Sequence, residues 1–493
     1  MTNESQPILV SKPKWRSLIG ILLGIVIAIA IIVFIQWQQP KATIPPQRDG
    51  SLLSSFQVQQ TTNRQDSFCA LLDNKQHNAC LGEPVPLCEK DLAMAKVAWQ
   101  YFENNYNPST GFYNAADNYP STTMWDTGSA LAATLAAYDF GFIDDYTFDE
   151  RVNTMFKTLT RLELFNKDAP NKVYNTDKAE MVDYRNKPAP EGIGVSALDL
   201  ARLISWLNTL SCMHPKYAHA SKKVIERWNL KKLIKDEQMY GLMLDPVSKS
   251  VQEVQEGRLG YEQYAGKIFR ELGYSQSISA TYDNNFRETV NIYDVPIAYD
   301  RRDPRDLGAY NYVVTESYVL DAIENGLDKE NTPLLKNIFQ VQKRRWEETG
   351  IITAVSEDNI DQPPYFLYNT IFTAGLPWNT TTDTGVRHDH LKTVSTKAAF
   401  SLALLFPEDP YSKQLAYMVG TAYDPKRGWY SGIYENGGGY NKVITANTNG
   451  IIMSLLLYKR YGEFYKVCKA CKRKINLSTI PKTSATCDVC PIK

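Results

Sequence analysis

Apolar positions recur at helical spacing along most of the chain between residues 89 and 461. In eleven stretches they return every three or four residues, and Asp126, Ser196, Asn331 and Asp409 stand near starts where a helix cap is expected. The pattern therefore predicts a mainly helical protein. The predicted helices are 89–106, 127–141, 147–165, 195–211, 215–229, 260–272, 311–326, 331–348, 391–406, 409–423 and 446–461. A twelfth helix within 273–310 is not placed.

The connections between these helices repeat one plan. Gly111, Gly241, Gly350 and Gly428 each open a connection, with apolar or aromatic residues of a short β-hairpin after them and another helix beyond. Their uneven spacing excludes a solenoid of fixed period. We therefore expect an all-α fold, an α/α toroid whose loops gather at one end, where function is expected. The more apolar helices should form its inner wall: 127–141, 195–211, 391–406 and 446–461.

A different pattern opens the chain. Residues 17–35 are an apolar run without a charged residue. As a helix, a run of this length spans about 30 Å of hydrocarbon. Basic residues concentrate before this run, so the positive-inside rule predicts a cytoplasmic tail (1–16), an anchor (17–37) in the inner membrane, and a periplasmic or extracellular main domain. A cleaved signal peptide is the alternative, but the apolar run continues past the small residues that could be cleaved.

The remaining boundaries follow from composition and cysteines. Residues 38–84 are expected to form a linker with disulfides, 85–465 the toroid, and 466–493 a cysteine-rich tail. Outside the cytoplasm, the four cysteines before the tail suggest disulfides. Our expected pairing is Cys69–Cys80 and Cys88–Cys212, although three pairings are open.

The tail carries two closely spaced cysteine pairs. The spacing C-x2-C-x15-C-x2-C is typical of a structural zinc site, and a closed set of four thiolates leaves no open position for catalysis. Two disulfides are the alternative, favoured by an oxidising compartment. We expect zinc here as a structural ion and no cofactor for catalysis. The four residues are Cys468, Cys471, Cys487 and Cys490.

Composition narrows the classes of partner. The chain has 493 residues, with 54 basic and 54 acidic side chains. The balanced charge gives no sign of a basic surface, so a nucleic-acid partner is not expected. It also has 30 tyrosines, whose apolar faces and polar tips suit sugar surfaces as well as ordinary cores. The sequence offers no G-x-S-x-G elbow, P-loop or dinucleotide fingerprint on a strand.

Four motifs together resemble a known family: WDTGSALAATLAA (125–137), GVSALDLARLISWL (194–207), TESYVLDAIENG (315–326) and ITANTNGIIMSLLLYK (444–459). They resemble a bacterial membrane-anchored domain family of unknown function. That family is similar to the glucoamylase-like glycosidases with a six-hairpin α/α barrel, among them the endo-β-1,2-glucanases. The resemblance covers about residues 85–465. It implies a protein of the bacterial envelope that handles polysaccharide, with envelope export proteins as further expected partners.

Glycoside hydrolysis needs one protonated and one ionised carboxyl across a cleft, about 6.5–9.5 Å apart for inversion. Glu316, one turn into a helix, is our expected general acid, because burial beside aromatic residues would raise its pKa. Asp383 or Glu435 would activate water. For Glu316 the simpler interpretation is a first-turn glutamate that interacts with the helix dipole. The expected substrate-binding residues are Tyr113, Trp125, Asp126, Glu191, Trp378, Arg387, Trp429 and Tyr430.

Two rival functions stay open at this point. One is a non-catalytic polysaccharide-binding or scaffold protein of an envelope export system. The other is a polysaccharide lyase, which would use Tyr, His or Arg in place of a carboxyl pair. Opposed carboxyl groups in the cleft would favour a hydrolase over a binding protein, and an unsaturated product absorbing in the ultraviolet would show a lyase.

Overall fold

The structure, a computed structural model, describes residues 87–256, 258–302 and 311–464. The predicted cytoplasmic tail, anchor, linker and cysteine-rich tail lie outside these ranges. Among the helices inside them, none combines the length and hydropathy that crossing a bilayer requires.

All eleven predicted helices are present, with shifted ends. The largest change in length is at the seventh predicted helix, where six residues of α-helix continue as one turn of π-helix, Asp321–Asn325. We call this segment the π-turn. In chain order the helices are α1 (Glu89–Asn105), α2 (Met124–Asp139), α3 (Asp145–Leu159), α4 (Ala197–Met213), α5 (Ala218–Ile225), α6 (Tyr261–Glu271), α7 (Thr315–Leu320), α8 (Asn331–Thr349), α9 (Thr396–Leu405), α10 (Pro410–Val419) and α11 (Ala446–Tyr461).

Six of these helices form a closed inner ring. Helix α2 packs against α4, α4 against α6, α6 against α7, α7 against α9, α9 against α11, and α11 returns to α2. Their side chains are buried nearly all round, as expected for helices covered on both sides. The four helices predicted for the inner wall are all in this ring, together with α6 and α7.

The outer layer covers the ring one helix at a time. Helices α1, α3, α5, α8 and α10 pack on α11, α2, α4, α7 and α9 respectively. The described part of 273–310 carries two paired strands, Arg287–Ile292 and Val295–Asp300, and this hairpin packs against α8. The unplaced segment thus contributes a β-hairpin to the outer layer.

The connections at the two ends of the toroid differ in length. An inner helix passes to the next outer helix through a short turn, as at residues 140–144 and 406–409, whereas the connections that enter inner helices are long. The long connections carry antiparallel strands and meet at the end where the inner helices begin. The remaining strands are β1 (Ser121–Thr123), β2 (Leu164–Phe165), β3 (Ala169–Pro170), β4 (Val173–Asn175), β5 (Gly194–Val195), β6 (Ile234–Lys235), β7 (Gln238–Leu244), β8 (Val251–Gln255), β11 (Glu357–Asn359), β12 (Phe366–Asn369), β13 (Phe372–Thr373), β14 (Leu376–Pro377), β15 (Thr380–Thr381), β16 (Thr393–Ser395), β17 (Tyr423–Asp424), β18 (Gly428–Tyr434) and β19 (Tyr440–Ile444), with β9 and β10 in the hairpin above.

Small residues bring the inner helices close together. A Cβ atom built on Gly450 of α11 would lie 2.9 Å from the backbone oxygen of Ser129 on α2. One built on Gly128 would lie 3.1 Å from the backbone nitrogen of Leu203 on α4. These contacts leave no room for larger side chains, so the first turns of α2, α4 and α11 are held near one another.

The expected disulfide between Cys88 and Cys212 is wrong. Cys88 is exposed and free, and its backbone N–H donates to Asp91 at the start of α1. Cys212, buried near the end of α4, is disulfide-bonded, and its partner lies outside the described residues. The Cys69–Cys80 pairing also falls outside them.

Candidate active site

The second residues of the inner helices supply the centre of the site. They are Trp125, Leu198, Glu262, Glu316, Lys397 and Asn447. Four of the six are in direct contact: Trp125 Nε1 donates to Asn447 Oδ1 at 3.0 Å, Asn447 Nδ2 donates to Glu316 Oε1 at 2.9 Å, and Lys397 Nζ forms an ion pair with Glu316 Oε2. We call Trp125, Glu316, Lys397 and Asn447 the central cluster. It exists because the ring places equivalent helix positions side by side.

Glu316 is buried, with 3% of its surface exposed. Its carboxylate accepts from Asn447 and is paired with Lys397, and burial would otherwise favour the neutral acid. The pKa of the Lys397 ammonium is raised by Glu316 and Asp358 despite its burial, so a positive charge lies beside Glu316. Glu316 is buried in the centre of the site, and its role as general acid stays a prediction.

Arg202 lies under the central cluster. It is fully buried on α4, and its guanidinium covers the Trp125 ring at 4.7 Å. Its nitrogens lie 3.9 Å from Glu316 Oε1 and 3.7 Å from Glu324 Oε1, the latter in the π-turn of α7. No hydrogen-bond acceptor among the described residues reaches this guanidinium, so it acts on both carboxylates through its charge.

Strand β11 brings two more acids against Glu316. Burial raises the pKa of Glu357 to about 7, and the negative charge of Glu316 adds to that rise. Burial raises the pKa of Asp358 to about 6, while Lys397, 3.5 Å away, opposes the rise. One oxygen of each carboxyl is buried without a hydrogen-bond partner among the described residues. Glu357 is therefore poised to gain or lose a proton near neutral pH.

A second group of acids lies at the starts of α2 and α4. Burial raises the pKa of Asp199 to about 8, and the charges of Glu256 and Asp126 raise it further. Glu256 is held in place by the N-terminus of α4, where it accepts from the backbone N–H of Ala197 at 2.7 Å. An anion at a helix N-terminus is favoured by the helix dipole. Asp199 is thus the protonated member of this group at neutral pH.

Aromatic and charged side chains lie between the two groups of acids. Tyr312 stacks on Tyr368 with ring centres 3.7 Å apart, and the Arg258 guanidinium lies 5.2 Å from the Tyr312 ring. Both Asp199 and Glu357 raise the pKa of Tyr368, which is consistent with a position between them. The exposed carboxyl of Asp383 is near the same stack. The aromatic stack therefore lies within electrostatic reach of both groups of acids, at the end of the toroid where the long connections meet.

The sequence-predicted residues are divided by the fold. Trp125, Asp126 and Glu316 come together, and Asp383 is at the rim. Asp126 does not itself cap α2: Thr123 is the cap, and its hydroxyl donates to the Asp126 carboxylate at 2.7 Å. Burial raises the pKa of Asp126 as well.

Other predicted residues make contacts elsewhere. Glu435 forms a two-pronged ion pair with Arg345 at 2.6 and 2.7 Å, and the same guanidinium lies 5.0 Å from the Trp378 ring. The ion pair holds Glu435 against α8, away from the contacts of the central cluster. Glu191 is exposed and pairs with Lys249 at 3.4 Å.

The remaining aromatic candidates are mostly in the core. Trp429 is 1% exposed and donates its indole N–H to Met94. Tyr113 is buried, with its hydroxyl 3.0 Å from that of Thr134. Tyr430 packs on a neighbouring tyrosine, and Arg387 is exposed in an ion pair with Asp389. The apolar faces of Trp429 and Tyr113 are therefore not accessible to a ligand.

No cluster of three or more His, Cys, Asp or Glu suited to a metal ion occurs within residues 87–464 as far as they are described. The four tail cysteines lie beyond that part of the chain, so zinc there stays a prediction.

Sequence reasoning missed Asp199, Glu357, Lys397 and Arg202. A signal was present for Asp199: Thr123 and Ser196 each cap an inner helix, and each is followed three residues later by an aspartate, Asp126 or Asp199. The repeated spacing puts the two acids at equivalent positions of neighbouring helices. Glu357 lies on a strand, and only contacts across the ring reveal its environment.

Comparison with known proteins places this site in a family. Residues 93–462 match the family model described as "Protein of unknown function (DUF3131)". The chain belongs to this family. A search of curated proteins gives no match.

Solved structures share the architecture of this DUF3131 protein. An endo-β-1,2-glucanase from Chitinophaga pinensis, in complex with sophorotriose and glucose, is similar at 14% identity and a TM-score of 0.58, over 78% of this chain and 96% of that one. An endo-β-1,2-glucanase from Talaromyces funiculosus in complex with sophorose has 11% identity and a TM-score of 0.53, over 78% and 85%. At these identities the similarity establishes the glucoamylase-like α/α fold, and the expected resemblance is confirmed.

Proposed function

We propose that this DUF3131 protein is a glycoside hydrolase that cleaves a glucan-type polysaccharide with inversion. The observation that carries the proposal is a pair of carboxyl groups with raised pKa values that both act on Tyr368, Asp199 at about 8 and Glu357 at about 7. Asp199 would protonate the leaving oxygen, and Glu357 would remove a proton from the attacking water. The bond to the leaving sugar breaks as water adds to the anomeric carbon.

The other groups of the cleft support this assignment. The fixed negative charge of Glu316 raises the pKa of Glu357, and the negative charges of Glu256 and Asp126 do the same for Asp199. A transition state with positive charge on the sugar ring would be stabilised by these carboxylates. The two endo-β-1,2-glucanases of the same fold suggest β-1,2-glucan as the first substrate to test.

The decisive experiment measures new reducing ends. The full-length chain, Asp199→Asn and Glu357→Gln are incubated with β-1,2-glucan and other bacterial glucans. Each variant should lose about 10²–10⁴-fold in kcat/KM, the usual contribution of a general acid or base. Glu226→Gln, in an exposed pair with Lys222, is the matched control. Proton NMR of the first product should show the inverted anomer.

Two results would refute the proposal: a wild-type chain that binds glucan without releasing reducing ends, which would favour a binding protein, or an unsaturated product absorbing in the ultraviolet, which would favour a lyase. The anchor at 17–37, the envelope location and export partners are further parts of the proposal. The location would be tested by adding protease to spheroplasts, where a main domain outside the cytoplasm should be digested.

A further inference from the structure

A tight turn at residues 183–187 lies in the long connection between α3 and α4. Asp183 Oδ1 accepts the backbone N–H groups of Arg185 and Lys187 at 2.9 Å each, and the Asp183 N–H donates to the Lys187 carbonyl at 2.9 Å. The turn is therefore fixed by its own hydrogen bonds, and Tyr184 is at its tip.

Contacts with neighbouring loops fix the same turn from outside. The Tyr119 hydroxyl donates to the backbone carbonyl of Tyr184 at 3.2 Å. Asn175 Nδ2 donates to Asn186 Oδ1 at 3.2 Å, and Asn186 takes a left-handed backbone conformation (φ 56°) that asparagine tolerates better than most residues. The position of Tyr184 is thus determined by the connections that enter both α2 and α4.

The turn that carries Tyr184 lies at the end of the toroid where the long connections meet. The same connection continues directly into α4, whose first turn carries Asp199, so the turn is at the cleft end of the ring. Desolvation by the surrounding protein raises the pKa of Tyr184, and the charges of Asp199, Glu256 and Asp383 raise it further. Asp199 is on α4, and Glu256 and Asp383 are on two other connections. These charges support a position of the Tyr184 ring beside the start of α4.

Most of Tyr184 is nevertheless open to solvent, with 65% of its surface exposed. A large exposed aromatic ring on a rigid turn is unfavourable for packing, but it suits stacking against the apolar C–H face of a pyranose. Such a ring loses little conformational entropy on binding, because tyrosine has only two side-chain torsions.

We propose that Tyr184 is a specificity-determining residue that stacks on a pyranose ring of the substrate beside the Asp199 wall, with Tyr119 as the positioning residue that holds its turn. The assignment rests on the proposed glucan-cleaving function. It adds a sugar-binding position on the α3–α4 connection, and its ligand is a neutral pyranose unit of the polysaccharide.

The test combines binding and kinetics on the full-length chain, with β-1,2-glucan as the probe. Tyr184→Ala should weaken retardation in affinity gels and raise KM by about five- to tenfold, the range expected for one aromatic stacking contact, with kcat within about twofold. Tyr184→Phe should restore binding because the ring remains. Tyr146→Ala, another exposed tyrosine at the first turn of the outer helix α3, is the matched control and should bind like wild type.

Separate outcomes decide the two proposals. Binding that depends on Tyr184 without any hydrolysis overturns the hydrolase proposal and keeps the stacking position. Equal affinity in Tyr184→Ala and wild type, a loss in Tyr184→Phe as large as in Tyr184→Ala, or no glucan binding by the wild type overturns the stacking position.

Discussion

At the scale of single residues, burial and like charge act on the same carboxyl groups. Glu357 must be ionised to accept a proton and Asp199 must be protonated to donate one. Glu357 ionises above about pH 7 and Asp199 loses its proton above about pH 8. We therefore expect a bell-shaped dependence of kcat/KM on pH with its maximum between these values, measured by initial rates across the range. A flat profile from pH 5 to 9 would contradict it.

Glu357 sets the acidic limb of that profile, and Glu316 determines how far the limb is shifted. Its charge raises the pKa of Glu357, so Glu316→Gln should lower that pKa and move the acidic limb to lower pH, by about one unit. Released from Glu316, Lys397 can pair more closely with the β11 acids, which adds to the shift in the same direction. The alkaline limb, set by Asp199, should stay in place. Movement of both limbs together would indicate a general loss of structure instead.

Sequence reasoning at this scale found positions better than roles. It located Glu316, Trp125 and Asp126, because acids and aromatics at helix starts stand out in a pattern. It could not identify contacts across the ring, since Lys397, the partner of Glu316, is far away in sequence. For Trp429 the residue type suggested a sugar platform, whereas its burial depends on the packing of α1 against β18.

At the scale of elements, periodicity predicted every α-helix of the described ranges, but the ends less well. Helix α2 begins at Met124 because Thr123 caps it, where the sequence suggested Asp126. Helices α6 and α7 were not expected in the inner wall, since buried polar residues such as Glu262 and Gln263 lower their apolar content. Partners in other elements satisfy these groups, as when Arg302 pairs with Glu262, and a local pattern does not contain that information.

Close packing of α2 and α11 gives a prediction at this scale. Gly450→Ala should reduce the free energy of unfolding by about 1–3 kcal/mol, because the added methyl group meets the Ser129 backbone. The better helix propensity of alanine offsets only part of that cost. Urea denaturation measures the effect. Gly437→Ala would test backbone strain without a clash, because a Cβ there meets no atom within 4 Å.

At the scale of the whole molecule, the first described helix, in the outer layer, is tied to the last one, in the inner ring. Lys459 on α11 donates to both oxygens of Asp91 on α1, at 3.0 and 2.8 Å, and both residues are buried. Lys459→Met leaves the Asp91 charge without its partner and should lower the free energy of unfolding by about 3–5 kcal/mol. Chemical denaturation followed by tryptophan fluorescence measures this loss.

An exposed ion pair provides the comparison. Lys216→Met breaks the ion pair with Asp149, in which both side chains are largely solvated. The free energy of unfolding should fall by less than about 1 kcal/mol. If the two lysine variants are equally stable, the Lys459–Asp91 pair does not hold α1 on α11. Asp91→Asn combined with Lys459→Met should recover part of the lost stability, because no buried charge remains.

The shared second position of the inner helices has an evolutionary consequence. Backbone N–H groups of a first turn have no partners within their own helix, and side chains at the second position meet those of other inner helices, as Glu316 meets Lys397 and Asn447. A change at one of these helix starts therefore removes a partner from another helix start. We expect relatives built on the same backbone to change these positions in matched pairs, a lysine together with its acid.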